Sequence, residues 1–190
     1  MEEQLKGENQ GILNPKPMQN VKVLSGPQKA MRLAIAAAVL VIAVVIVIMI
    51  RNQYQKPIKT YYKALHQKDA SGMCEAFPSW LIEAPTNPDA MSIYDMCSVV
   101  VSSVNSRYGA AYRVSVDVST KTEVEADYLQ KLEDGIRSQY QVEVDVSEGL
   151  RLKLVVMYSN GSTEYQAIEY AKIYKINGHW YLLDVPNDKE

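Results

Sequence analysis

The sequence predicts an α+β protein: an N-terminal transmembrane helix, then a domain of about three to four helices packed on a curved antiparallel sheet. Three observations carry this. Leu33 to Ile50 (LAIAAAVLVIAVVIVIMI) is an unbroken run of eighteen apolar residues. From there to Tyr108 the apolar residues recur at helical spacing, and after Tyr112 the period changes to two. Near the end of the chain, Asn-Gly pairs at 160–161 and 177–178 separate alternating segments, the signal of an antiparallel meander.

The apolar run is read as a membrane span. At ~1.5 Å per helical residue it is about 27 Å long, against a hydrocarbon layer of ~30 Å. A cleaved signal is disfavoured: the run is longer than a signal core, a long tail precedes it, and no small-x-small site follows Met49-Ile50-Arg51-Asn52. Arg32 and Arg51 close the run, and with Tyr54 and Lys56 they sit at the expected depth of the lipid headgroups. The cations flanking the run nearly balance: Lys16, Lys22, Lys29 and Arg32 before it, Arg51, Lys56, Lys59, Lys63 and Lys68 after it. Charge therefore does not set the orientation, and the size of the C-terminal part favours its export, since large domains translocate largely regardless of charge. Residues 1–30, rich in Gln, Asn, Gly, Pro and Lys, bury too little apolar surface to fold and read as a disordered cytoplasmic tail. The expected organisation is thus tail 1–30, transmembrane helix 31–51 and extracytoplasmic domain 53–186.

Within the domain, Gln53 to Gln67 reads as a helix with Tyr54, Ile58, Tyr61, Tyr62 and Leu65 on one side. Asp69 is placed to cap a short helix, Ala70 to Ala76, which Phe77-Pro78 ends. Asn87-Pro88 starts a long helix running from Asp89 to Tyr108, with Gly109 as its stop. Tyr112, Val114, Val116 and Val118 alternate with polar residues as a half-buried strand. Thr122-Glu123-Val124-Glu125 has the form of a capping box opening a helix that turns Tyr128, Leu129, Leu132, Ile136 and Tyr140 inward. Leu150, Leu152, Leu154, Val156 and Tyr158 share one face of the next strand, with Arg151 and Lys153 on the other. Hairpins at Asn160-Gly161 and Asn177-Gly178 lead into strands over Tyr165 to Ile176 and His179 to Val185.

The segments Tyr61-Tyr62-Lys63-Ala64-Leu65-His66-Gln67-Lys68-Asp69, Phe77-Pro78 and Ile173-Tyr174-Lys175-Ile176-Asn177-Gly178-His179-Trp180-Tyr181-Leu182-Leu183-Asp184 resemble the opening and closing of nuclear transport factor 2-like domains, which belong with the cystatin-like α+β folds. The resemblance covers about residues 53 to 186 and rests on element order and hydrophobic words. It implies a cone-shaped fold with a sheet wrapped around a long helix, often with a pocket and often dimeric. Single-span envelope proteins of Gram-positive bacteria and the assembly factors of conjugation and secretion machines use similar domains without catalysis. Enzymes of that superfamily work with acid, base and phenol groups in the pocket, and no such motif transfers to this chain.

The residues themselves point away from several chemistries. His66 and His179 read as exposed polar residues, and the two histidines and two cysteines show no metal-ligand spacing. No cofactor is expected. Residues 52 to 190 carry 14 basic and 19 acidic side chains, a balance of −5, which disfavours nucleic acid. Cys74 and Cys97 are open to two readings: a bridge closing a loop of about 24 residues, worth ~3 kcal/mol, or two small buried hydrophobes. Asn160-Gly161-Ser162 matches a glycosylation acceptor, which the hairpin already explains. The expected function is a non-catalytic interaction module binding an envelope protein or its own copy, with Tyr170, Tyr174 and Trp180 as aromatic anchors or as core residues. The alternative is a small-ligand or enzymatic pocket inside the cone.

Overall fold

The computed structural model describes residues 26–83, 91–161 and 163–189; in its first helix, side chains are described for Met31 and from Ala34 to Val47. The chain divides into two units, Met1–Val45 and Ile46–Glu190. The tail expected over residues 1–30 lies outside the described residues up to residue 25, and Gly26–Arg51 is one helix, α1. Helical structure therefore begins ahead of the expected boundary. Every described side chain from Ala34 to Val47 is exposed. No helix among the described residues is long and apolar enough to cross a membrane; the run Leu33 to Ile50 extends past both ends of the stretch with described side chains. The side chains of Arg32 and Arg51 lie outside that description.

The second unit is α+β. After a 3-10 turn, Gln53–Gln55, come α2 (Lys56–Gln67), α3 (Ala70–Cys74), α4 (Ser79–Ile82), α5 (Ile93–Tyr108), β1 (Arg113–Glu123), α6 (Ala126–Tyr140), β2 (Val146–Asn160), β3 (Thr163–Ile176) and β4 (His179–Leu182). The helices are more numerous than the three to four expected, because α3 and α4 are each only about a turn long. The four strands form one antiparallel sheet in the order β1-β2-β3-β4.

Local chemistry explains most boundaries. Pro57 lies in the first turn of α2, where its missing N–H costs nothing. Asp69 caps α3 as expected, its carboxylate accepting from the Gly72 N–H at 2.9 Å. The long helix α5 starts at Ile93 rather than Asp89: Ser92 is its cap, accepting from the Asp95 N–H at 3.0 Å. The expected start at Asn87-Pro88 lies outside the described residues. Gly109 ends α5 at φ 84°, a conformation that favours glycine.

Three further expectations are corrected. β1 runs on to Glu123, which pairs with Leu150, so Thr122 and Glu123 belong to a strand and do not cap α6. Cross-strand pairing outweighs the local capping pattern there. In the first hairpin Asn160 is the last paired residue of its strand, opposite Thr163, and not a turn residue. Asn160 instead donates its side-chain amide to the Tyr108 carbonyl at 2.6 Å, closing the end of α5. The second hairpin is as expected, with Asn177 and Gly178 at φ 50° and 81° between the pair Ile176 and His179. The last strand ends at Leu182, short of Val185.

The helices do not all cover one face. Leu150, Leu152, Leu154 and Val156 of β2, with Ala171 and Ile173 of β3, form the main core with Ile58, Tyr61 and Leu65 of α2, Met73 of α3 and Cys97 of α5. Tyr174 and Ile176 point the other way, and there Leu129 and Ile136 of α6 join Val124, Val144 and Val146 in a second core. Gly149 makes this approach feasible: a Cβ on it would stand 2.8 Å from Leu129 and 2.9 Å from Tyr174. Helix α6 thus packs on the opposite face from α2, α3 and α5, at one end of the sheet. Tyr128, expected inward, is 43% exposed.

Candidate functional site

The inner face, between the sheet and α2, holds the main core and is closed to solvent. Tyr61, Leu65, Leu152, Leu154, Val156 and Cys97 are each at most 1% exposed. At its margin is a polar knot: Tyr62 and Tyr158 donate their hydroxyls to the two oxygens of Glu169, at 2.6 and 2.8 Å. This ties α2, β2 and β3 together. Burial pushes both phenols above their ordinary range, and the Glu169 charge adds to it. Tyr61 is shifted the same way by burial, and its hydroxyl has no hydrogen-bond partner. Neutral phenols around one carboxylate make a structural clasp, and with their pKa values raised they are poorly suited to giving up protons at neutral pH.

The cysteines come together as neighbouring thiols. Both are free and buried in the main core, and Cys74 donates to the Ala70 carbonyl at 3.3 Å. Burial, then the adjacent Cys74, pushes the Cys97 thiol up to about 12. With both thiols free, the two pack in the main core as small hydrophobes.

The histidines stay apart. His66 accepts the Val114 N–H through Nδ1 at 3.1 Å, binding the end of α2 to β1. His179 is exposed and stands edge-on to Tyr181. Among the described residues no cluster of His, Cys, Asp and Glu has the makings of a metal site.

The three aromatic candidates do not form one surface. Tyr174 is 3% exposed in the second core, the place that the core reading gave it. Trp180, paired with Lys175, faces the other way and packs half-buried against the main core. Tyr170 is half-buried on the open part of the sheet, and its backbone pairs with Asn187 at 2.6 and 3.1 Å. Of the interface residues, Lys56 is exposed at the start of α2. Tyr54 is half-buried against the core with the Lys121 ammonium 5.0 Å from its ring centre.

Two concavities open on the surface of the domain. One, of about 370 Å³, is apolar and lies along α6, with Trp80, Leu132, Tyr140 and Leu183 in its lining. The other, of about 550 Å³, crosses the open face of β1, β2 and β3 beside the C-terminal segment. Its lining includes Thr120, Thr122, Arg151, Lys153, Tyr170 and Lys172, with Asp184, Asn187 and Lys189 at the rim. Sequence reading found Arg151 and Lys153 as the polar side of a strand but missed the groove. The signal was present in the hairpin: the register that pairs Asn160 with Thr163 places Lys172 opposite Arg151.

No family model matches this chain, and no curated protein matches it.

Proposed function

We propose that this protein is a single-pass membrane protein whose α+β domain, presented outside the cytoplasm, is a non-catalytic interaction module for another envelope protein or a second copy of itself. The observation that supports the non-catalytic part is the closed inner face, where Tyr61, Leu65, Leu152 and Leu154 are buried in the main core and offer no opening to a substrate. The anchor rests on the eighteen-residue apolar run and on the exposure of every side chain of α1 from Ala34 to Val47. Apolar side chains exposed on all sides of a helix are stable in lipid and costly in water. The resemblance to nuclear transport factor 2-like domains supports the same reading, since such modules serve anchored assemblies. Anchoring confines the domain to a thin layer, which raises its effective concentration for partners held there.

The test is the full chain in a non-ionic detergent, measured by light scattering with cross-linking and by retention of solubilised envelope proteins. A dimer, or one envelope protein retained in stoichiometric amount, is the expected result. A monomer that retains nothing would overturn the interaction reading.

A further inference from the structure

We propose that the open face of the sheet binds a ligand carrying two or more phosphate groups, in the groove formed by Arg151, Lys153, Lys172 and Lys189. Register puts these residues together. Thr122, Arg151 and Lys172 stand side by side across β1, β2 and β3, and Thr120, Lys153 and Tyr170 form the next row. Rows of this kind lie two residues apart along a strand, roughly 6.6 Å. The backbone pairing of Asn187 with Tyr170 holds the segment around Asn187 against the sheet, so that Lys189 joins the same groove.

The charge arrangement is costly without a ligand. Arg151 and Lys172 are directly opposed on neighbouring strands, a like-charge pair that destabilises a sheet. Among the described residues the ion pairs are those of Arg137 on α6 and of Lys175 with Glu148, so none of the four groove cations has a carboxylate partner. Asp184 is the one acid in the lining, and its carboxylate accepts the Val185 N–H at 2.8 Å. All this stands in a domain with an excess of acidic side chains, so a local surplus of cations is not a by-product of composition.

The donor set suits phosphate. A guanidinium grips two phosphate oxygens at once, and ammonium groups add mobile charge. The hydroxyls of Thr120, Thr122 and Tyr170 both donate and accept, which serves ester as well as terminal oxygens. Cations spread over two rows and a rim cannot all reach one small anion, which is why the ligand carries at least two phosphates. A groove of about 550 Å³ is of the size that holds small ligands.

The test is calorimetric titration of the full chain in non-ionic detergent at low salt, with inorganic tripolyphosphate and orthophosphate as probes. Tripolyphosphate is expected to bind at least tenfold more tightly than orthophosphate. Arg151→Gln and Lys172→Gln should each weaken it by about tenfold, the loss of one charge-assisted contact. Both positions are exposed, and Lys189→Gln, outside every strand, repeats the test without touching the sheet. Lys59→Gln, on the exposed side of α2, should leave binding unchanged. Repeating the titration in micelles doped with an anionic phospholipid separates two sources: competition assigns a lipid headgroup, and its absence assigns a soluble phosphate ester. No binding of tripolyphosphate, equal affinity for the two probes, or equal affinity in the groove variants and Lys59→Gln would overturn the proposal.

Discussion

Tyr61, Tyr62 and Tyr158 make a prediction about pH that belongs to single side chains. Their ordinary value is 10.0, and burial raises all three, with Glu169 adding to the shift. The folded state therefore holds these protons more tightly than the unfolded chain. Above pH 10 the unfolded chain binds fewer protons, so stability is fully present below that value and is lost as pH rises toward the folded-state values. Each phenol titrating in this window removes up to about 1.4 kcal/mol per pH unit. The buried Cys97 thiol, raised from 9.0, adds a fall that begins one unit lower. The expected result is a urea midpoint that holds steady near neutrality, starts to drop near pH 9 and drops steeply beyond pH 10. In Tyr62→Phe with Tyr158→Phe the steep part should be much shallower. A midpoint unchanged through pH 11 would contradict the assignment. None of this was legible in the sequence, where the tyrosines of core stripes carry no sign of sharing one carboxylate from a strand more than a hundred residues away from Tyr62.

Helix α6 shows why some elements could be read from the sequence and others could not. The alternation in β2 and the Asn177-Gly178 hairpin are local signals, and both hold in the structure. The face that α6 covers is a tertiary matter. It depends on Gly149, on the irregular register between Val146 and Glu148, and on Tyr174 turning away from the main core. The misplaced helix start has the same origin: β1 shifts register between Val118 and Thr120 and continues beside β2 to Glu123, which no local pattern announces. The groove was half legible, since Arg151 and Lys153 are visible as one side of a strand while Lys172 needs the exact turn. Packing of α6 gives a prediction at this scale. In Gly149→Ala the added methyl would stand 2.8 Å from Leu129, 2.9 Å from Tyr174 and 3.0 Å from Val124, closer than atoms of a packed core tolerate. The helix must then lift or the strand must shift, and overpacking of this kind costs about 1–3 kcal/mol. Denaturant unfolding of the full chain in detergent should show that loss, and hydrogen exchange should place it in α6 more than in α2. An unchanged midpoint would mean that α6 rests loosely on the sheet.

At the scale of the whole molecule the proposed membrane anchor is the part on which the proposed location depends, and it is open to a direct test. A lysine or arginine near the centre of a spanning helix costs about 2.5–3.5 kcal/mol of insertion free energy. Val41 and Val44 fall in the middle of the run, and both are exposed at 59% and 50%. Exposure means that neither supports a protein core, so replacing them should leave the α+β domain folded. In the double variant Val41→Lys with Val44→Lys, the added cost of insertion is therefore about 5–7 kcal/mol, enough to move most of the chain out of the membrane. The expected outcome is that the native chain stays with membranes after alkaline carbonate extraction while the variant is released. Protease added outside intact cells should digest the native domain, because the proposed export of residues 53–186 would expose it on that side. Native chain released by carbonate would remove the anchor. Native chain retained but protected from outside protease would keep the anchor and reverse its orientation, placing the domain and its cationic groove on the cytoplasmic side.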